Sequence, residues 1–299
     1  MAAFKNTSPV IKNPVVSVGR IFSLNQMIQS ALAEDRISED ISTRLLIVPG
    51  RKAGARVIFK NSGVMCGGAI IRKAFELTDH SLRVEILFSD GTKIRKDQTV
   101  IRVAGRVVSI LAAERVVLNF LGYLSGVATR TREYVDAVRS YKVQILDTRK
   151  TTPLMRDLER YAVRCGGGCN HRRDLSDMVL IKDNHLPACG TMKLSDVIRS
   201  VRARTKKKIE IEVDRLDQFL DAVEGRPDMI LLDNMSCKDM KKAVGIAKRF
   251  SSKRPLLEAS GGITLKNIKR AAATGVDRIS VGALTHSHQS VDVSLEFLS

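Results

Sequence analysis

Residues 147–153 read Asp-Thr-Arg-Lys-Thr-Thr-Pro and follow the apolar run Val143-Gln144-Ile145-Leu146. An arginine, a lysine and three threonine hydroxyls therefore stand where a strand hands over to a helix, with nothing apolar to pack. They form either a solvated turn or a site for anions. A guanidinium offers a planar fork that matches a carboxylate, and an ammonium offers a point charge for phosphate. Thr152 is expected to cap the next helix, and Pro153 to take its first turn. Further on, Cys165-Gly-Gly-Gly-Cys169-Asn-His171-Arg172 reads in two ways. Its cysteines and His171 could ligate a metal, but no second cysteine pair with matching spacing follows. Otherwise it is a glycine loop that presents His171 and Arg172. Lys182-Asp183-Asn184-His185, the carboxylates Glu210, Glu212 and Asp214, and Asp233-Asn234 continue the polar series. Ser260-Gly261-Gly262 and Val281-Gly282-Ala283 close it with glycines just before helical segments, a pattern that lets backbone N–H groups approach a phosphate.

The elements that must hold these groups follow from periodicity. From Val143 onward, strand-like runs (VQILD, DMVLIKD, KIEIEVD, DMILLDN, LLEASGG, RISVGA) alternate with helix-like ones. That pattern predicts parallel βα units, hence an α/β barrel, incomplete with six strands, or an open doubly wound sheet. In a barrel, functional groups gather at the C-terminal strand ends, where each polar cluster above falls except Cys165–Arg172, which follows a helix. Alternation along IEIEVD puts Glu210, Glu212 and Asp214 on one face, pointing inward. Buried carboxylates need cations, and Lys150, Lys182 and Arg149 are the expected partners. No Gly-x-Gly-x-x-Gly fingerprint follows the first strand, which disfavours a dinucleotide site. Before about residue 110 the pattern differs. A helix over SLNQMIQSALAED leads into expected strands RLLIVP, ARVIFK, LRVEILFSDGTKI and VIRVAGRVVSI, a small α/β domain. Glu114-Arg115 interrupts an apolar helix, either as an intrahelical pair or with Arg115 facing a polar cavity or another subunit.

Composition limits the partners. The chain has 299 residues, 44% of them hydrophobic, and a formal net charge of +18. Such a charge attracts anions. The basic residues are spread along the chain, and aromatic residues make up only 4%, so neither a basic stripe nor a base-stacking platform is present. No nucleic-acid partner is expected. The apolar stretch 107–128 is broken by Glu114, Arg115 and Asn119, so no membrane span is expected either. MAAFKNTSPVIKN lacks an apolar signal core, and five cysteines are an odd count; reduced thiols and a cytoplasmic location are expected.

Taken together, the motifs AERVVLNFLGYLSGVATRT, LDTRKTTPLMRDLERYAVRCGGGCNHR, LIKDNH, IEIEVD, LLDNM, EASGGI and GVDRISVGALTHS resemble the quinolinate phosphoribosyltransferase family. The resemblance implies an incomplete α/β barrel over residues 113–299 and a smaller N-terminal α/β sandwich domain over 1–112, with the C-terminal tail packing back on the latter. It implies a homodimer, or a higher oligomer, with shared active sites. The implied reaction converts quinolinate and phosphoribosyl pyrophosphate to nicotinate mononucleotide, pyrophosphate and carbon dioxide, a step of NAD biosynthesis. Mg2+ accompanies the pyrophosphate, and no organic cofactor is implied. By motif, Thr148, Arg149, His171 and Arg172 hold quinolinate and Arg115 reaches a partner's site. Lys150 and Lys182 face the phosphates and the acid. Glu212 and Asp233 meet the ribose and, directly or indirectly, the metal. Lys150, Lys182, Glu212 and Asp233 are the implied catalytic set. Ser260, Gly261 and Gly262 with Val281, Gly282 and Ala283 cradle the 5′-phosphate. The chain departs from the family pattern at Gly122, usually polar, at Arg173-Asp174, and in lacking two glycines around Glu34–Ser42. A lyase with Lys182 as Schiff base and a transferase for another anionic heterocycle are the rival readings.

Overall fold

The computed structural model describes residues 23–190 and 192–298, which fall into two compact units. Unit 1 combines the chain up to Arg132 with Thr152–Gly167 and the C-terminal stretch from His288; unit 2 combines Glu133–Thr151 with Gly168–Ser287.

Unit 1 opens with α1 (Leu24–Glu34), whose start is fixed by Ser23: its hydroxyl accepts the Gln26 N–H at 3.2 Å while Gln26 Oε1 accepts the Ser23 N–H at 2.8 Å. This reciprocal cap satisfies donors that the first helical turn leaves open. The run RLLIVP, expected as a strand, lies at the end of helix α2 (Ile41–Leu46) and beyond it. The reason is local: Asp40 caps it, accepting the Thr43 N–H at 3.0 Å. Ile41, Leu45 and Leu46 are consequently 73%, 79% and 78% exposed, an apolar face without cover. Then come β1 (Lys52–Phe59), β2 (Gly63–Val64), α3 (Gly68–Thr78), β3 (Arg83–Ile86), β4 (Lys93–Ile94) and β5 (Gln98–Arg106). The tail of the expected strand VIRVAGRVVSI instead begins α4 (Val107–Ala137), 31 residues long. By length and composition α4 could cross a membrane, but 61% of its most apolar stretch is buried inside the protein, as in a core helix. The domain boundary expected at residues 112/113 falls within this helix.

Helix α5 (Arg156–Cys165) begins three residues later than expected, and Met155, not Thr152, occupies its N-cap. Leu154 has φ +66°, a left-handed conformation that cannot continue a helix, so Pro153 lies in a turn. Thr152 instead donates its N–H to Glu159 Oε1 at 3.2 Å.

Unit 2 carries β6 (Gln144–Leu146), β7 (Val179–Ile181), α6 (Leu194–Arg204), β8 (Ile209–Val213), α7 (Leu216–Glu224), β9 (Met229–Asp233), α8 (Cys237–Ala247), β10 (Leu256–Ser260), α9 (Ile268–Ala272), β11 (Arg278–Ser280) and α10 (Ala283–His286). All six strands are parallel, in the order β6-β11-β10-β9-β8-β7. The last strand pairs with the first, as in a closing barrel, but β6 and β7 do not pair. A bridge from Leu146 to Cys169 occupies the free edge of β6. The incomplete barrel is therefore observed. Ile209, Ile211 and Val213 are buried toward the helices, while Glu210 and Glu212 take the opposite parity.

Finally β12 (Val293–Phe297) returns to unit 1 and pairs antiparallel with β1, giving the sheet order β12-β1-β5-β3. The returning chain crosses α4 over two glycines. A Cβ on Gly126 would stand 2.3 Å from the Gln289 carbonyl oxygen, and one on Gly122 would stand 2.8 Å from that of Val291. Val291 N–H donates to the Gly122 carbonyl at 3.0 Å. The departure at Gly122 thus has a steric explanation here.

Candidate active site

The C-terminal strand ends of unit 2 surround a cavity of about 800 Å³. Thr148, Arg149, Lys150, His171, Arg172, Lys182, Glu212, Asp233, Ser260, Gly261, Gly262, Gly282 and Ala283 all line it, so the fold gathers nearly all the expected groups from seven separate segments. Val281 is buried and does not line it. Arg115 lies in unit 1, in another cavity beside Glu34, Asp35, Asn119 and Tyr123. Arg115 thus lines a partly polar cavity, one of the two expected readings, while Glu114 still feels its charge.

One wall of the large cavity is cationic. Among the described residues, Arg149, Lys150 and Arg172 have no carboxylate at ion-pair distance. Arg172 is only 8% exposed. Burial and the neighbouring Arg149 guanidinium pull its pKa below the usual arginine value. Two like charges held side by side at a cavity wall are costly until an anion joins them. Lys150 is steadied through its backbone, whose carbonyl accepts the Thr285 hydroxyl at 2.7 Å.

The same cavity also carries acidic groups. Glu212 faces Lys182, with Nζ 3.6 Å from Oε2. Burial pushes its carboxyl up, Lys182 works against that, and Asp233 adds to it. Asp233 accepts the Asn234 side-chain amide at 2.7 Å. Two oxygen-bearing carboxylates that crowd one another are a donor set for a hard cation. Asp214, expected inward, lies beyond the end of β8 and is exposed, with Arg215 3.5 Å away.

Glu210 does not meet Lys150, Lys182 or Arg149. It sits one layer below Glu212, fully buried, with His171 Nε2 2.9 Å away. Glu258, also fully buried, stands 3.5 Å from the same nitrogen. The other ring nitrogen, Nδ1, accepts the Arg172 N–H at 2.7 Å. His171 therefore accepts a hydrogen bond at Nδ1 and turns Nε2 toward two carboxylates, without hydrogen-bonding geometry there. Its own N–H goes to Asp147 Oδ1 at 2.7 Å, and Asn170 also donates to Asp147. The buried Asp147 pins the 170–172 segment to the end of β6.

The glycine loops are tight, but not because of long helices behind them. Gly261 and Gly262 have φ +89° and +57°. A Cβ on Gly261 would fall 2.1 Å from Asn234 Oδ1, and one on Gly282 would fall 2.8 Å from His286 Nε2. At Gly261 the positive φ and the close approach both favour glycine, whereas at Gly282 a Cβ would require the His286 ring to shift. However, α9 has five residues and α10 four, so the expected helix-end field is small and backbone N–H groups remain as the donors. Asn234, itself left-handed at φ +51°, donates its N–H to the Ser260 carbonyl at 2.9 Å and ties the two strand ends together.

Sequence reasoning missed Glu258 and His286 at this site. Glu258 could have been found by parity, since it precedes Ser260 by two on the same strand face. His286 carries no such signal, because a one-turn helix turns it back to the cavity. The cysteine expectation divides as well. Cys165 lies in unit 1 beside Cys66 and Asp90, whose possible ligand atoms all lie within 4.8 Å of one another, whereas Cys169 belongs to unit 2. Cys66, Cys165, Cys169 and Cys237 are all free.

Comparison with known proteins bears on the same residues. Residues 40–125 match the quinolinate phosphoribosyl transferase N-terminal domain, and residues 127–296 match the C-terminal domain of that enzyme. The nicotinate-nucleotide pyrophosphorylase (carboxylating) of Mycobacterium leprae is 39% identical over 90% of this chain and 95% of its own length. The probable enzyme of that name from Bacillus subtilis is 36% identical over 91% and 93%. Among solved structures, the nicotinate-nucleotide pyrophosphorylase from Francisella tularensis superposes with a TM-score of 0.87 at 36% identity, covering 92% of this chain and 96% of that one.

Proposed function

The chain belongs to the quinolinate phosphoribosyltransferase family, as an enzyme of NAD biosynthesis, and on that premise we propose which of its residues carry the reaction. The substrates are quinolinate and phosphoribosyl pyrophosphate, and the products are nicotinate mononucleotide, pyrophosphate and carbon dioxide. One observation carries the assignment: three cations without ion-pair partners among the described residues, Arg149, Lys150 and Arg172, line one cavity together with two carboxylates, Glu212 and Asp233. A dicarboxylate and a polyphosphate are the ligands that such a wall lacks.

Arg149 and Arg172 grip the two quinolinate carboxylates with Thr148 alongside, since a guanidinium fork matches a carboxylate. His171 lines the cavity beside them, and its Nδ1 accepts the Arg172 N–H, which helps to set that segment. Lys150 and Lys182 take the pyrophosphate and the substrate acid. The backbone of Ser260–Gly262 and of Val281–Ala283 takes the 5′-phosphate. Glu212 and Asp233 hold the ribose hydroxyls and fit Mg2+, which when bound neutralises pyrophosphate charge. As the pyrophosphate bond breaks, positive charge grows on the ribose and the same carboxylates stabilise it. The ring nitrogen then bonds to the sugar as pyrophosphate leaves; the adjacent carboxylate departs as carbon dioxide, its bonding electron pair stays on the ring carbon beside the positive nitrogen, and a proton from solvent takes its place. No protein nucleophile is needed; positioning supplies most of the rate.

A homodimer is part of this reading. The uncovered apolar face of α2 supports it, as does Arg115, held in unit 1 and facing polar groups rather than core. In it Arg115 completes a partner's cavity. Free thiols are in keeping with a cytoplasmic enzyme.

The test is release of carbon dioxide from quinolinate, dependent on phosphoribosyl pyrophosphate and Mg2+. Arg149→Ala should raise the Michaelis constant for quinolinate at least about 100-fold while sparing the melting temperature. An unchanged constant would sink the assignment. Mixtures of Arg115→Ala with Lys150→Ala chains should regain activity that neither has alone, and failure to regain any would exclude a shared site.

A further inference from the structure

Unit 1 holds a cluster that the reaction does not use. Cys66, Asp90 and Cys165 each offer one donor atom, and these atoms all lie within 4.8 Å of one another. Both cysteines are buried, at 0% and 2% exposure, and both are free thiols. Asp90 is half-buried. A buried cysteine is ordinarily a small apolar filler in an apolar slot. Here the slot also contains a carboxylate, and the charge of Arg164 reaches Cys66. Two thiols give that carboxylate little, since S–H is a weak donor.

Three separate segments are locked together at this point. Cys66 follows β2, and Asp90 precedes β4, the strand that pairs with β2. Backbone bonds stitch the two segments: Met65 N–H donates to the Thr92 carbonyl at 2.9 Å, and Gly91 N–H to the Met65 carbonyl at 2.8 Å. Cys66 N–H donates to the Ser125 hydroxyl at 3.1 Å, which fixes it to α4. Asp90 Oδ2 accepts the Gly67 N–H at 3.0 Å and the Tyr161 hydroxyl. Its Oδ1 accepts the Gly68 N–H at 3.1 Å, and a second lone pair remains there. Cys165 ends α5, and its carbonyl oxygen would stand 3.2 Å from a Cβ on Gly91. Donors held on rigid, close-packed segments are preorganised for an ion.

We propose that Cys66, Cys165 and Asp90 form a binding site for one thiophilic divalent cation of the Zn2+ class, distinct from the Glu212–Asp233 pair that fits Mg2+. Sulfur ligands select such an ion, whereas Mg2+ takes oxygen. Bonds of about 2.3 Å to sulfur and about 2.0 Å to oxygen put tetrahedral donors about 3.5–3.8 Å apart. The observed spacing therefore has to close by little more than about 1 Å. Three protein ligands leave the fourth position to water. Tyr161 becomes the outer partner that orients the ligating carboxylate. The two thiol protons pass to solvent as the ion enters. The ion ties the end of α5 to the turn before α3, so it acts on stability and not on turnover.

The experiment uses the full chain, stripped with a chelator, kept reduced with a phosphine, and titrated with Cd2+ in excess Mg2+. Cadmium bound to thiolate gives an ultraviolet charge-transfer band that oxygen ligands do not give. In the native chain the band should saturate at one equivalent, fade on adding Zn2+, and persist when Cys169, Cys189 and Cys237 are all changed to Ser. Cys66→Ser and Cys165→Ser should each weaken Cd2+ binding by more than the roughly 10–100-fold expected for loss of the outer partner in Tyr161→Phe. Zn2+ should raise the melting temperature of the native chain and leave that of Cys165→Ser unmoved. No band in the folded native chain, or a band abolished by the triple replacement, would overturn the site. Should the single Ser variants not fold, Asp90→Asn decides: an unaltered Cd2+ affinity there overturns it, and a fall of about tenfold or more supports it. Carbon dioxide release from quinolinate judges the proposed reaction alone, because the band does not depend on it.

Discussion

Asp79 in unit 1 and Glu258 in unit 2 are both carboxylates with less than a tenth of their surface exposed, and the molecule treats them in opposite ways. Asp79 accepts the Ser109 hydroxyl at 2.6 Å, the Ser81 hydroxyl at 2.8 Å, the Ser81 N–H at 2.9 Å and the Arg106 guanidinium at 2.8 Å. The Ser109 bond leads in holding its carboxyl well below the usual range. Glu258 has a histidine at 3.5 Å and a second glutamate for company, and its carboxyl is held high. The first group is supplied with every donor that it can use. The second is left short, and so are the cations above it. The difference teaches where binding energy is stored: a frame closes its own polar accounts, whereas a site leaves them open for a ligand to complete.

The largest effect should come from the open side. Arg172→Ala should lower kcat/KM for quinolinate by roughly 300-fold or more, the scale of losing a buried charge-assisted contact, and should not lower the melting temperature. A clear fall in melting temperature would show that Arg172 belongs to the frame. Glu258→Gln comes next. Its folded-state pKa of about 7 lies above the unfolded value of 4.5, so the stability it contributes is complete below about pH 4.5 and is lost as pH rises through 7. At pH 8 the Gln variant should therefore be more stable than the native chain by up to about 3 kcal/mol, and the gain should vanish near pH 4.5. Denaturant unfolding at the two pH values reads this directly, and equal stability at pH 8 would remove the contrast. Asp79→Ala should do the reverse: lose about 2 kcal/mol at neutral pH by stranding Arg106 and the serines, with full turnover per folded molecule. Because the Asp79 pKa is depressed, that loss should shrink as pH falls below about 4. Smallest is Ser23→Ala, about 1 kcal/mol for a lost cap, again without effect on turnover.

The comparison also explains what the chain discloses before folding. Strand parity placed Glu210 and Glu212 inward, and six apolar runs became six parallel strands, because a twofold alternation survives any tertiary context. The convergence of Arg149, Lys182 and Asp233 followed from their place at strand ends, while Arg172 was read only as a group presented by a glycine loop. What failed was decided by single local contacts. Asp40 capped Thr43 and turned an expected strand into α2. Leu154, at φ +66°, delayed α5 and took Thr152 away from its cap. The partner of Glu210 was misjudged because it depends on which way a ring faces in a loop, and no periodicity encodes that. Both nitrogens of His171 face groups of the protein, Nδ1 the Arg172 N–H and Nε2 the Glu210 carboxylate, which no motif discloses.

The return of β12 to β1 has a consequence for how the protein is made. Unit 1 receives its last strand only after all of unit 2 has left the ribosome, since residues 168–287 intervene. Until then β1 has an unpaired edge, and the notch at Gly122 and Gly126 on α4 stands empty. A nascent chain stalled anywhere between β6 and α10 would thus present a sticky strand to its neighbours for the whole pause. Slow synthesis across that span should therefore lengthen the time for which the β1 edge stays open.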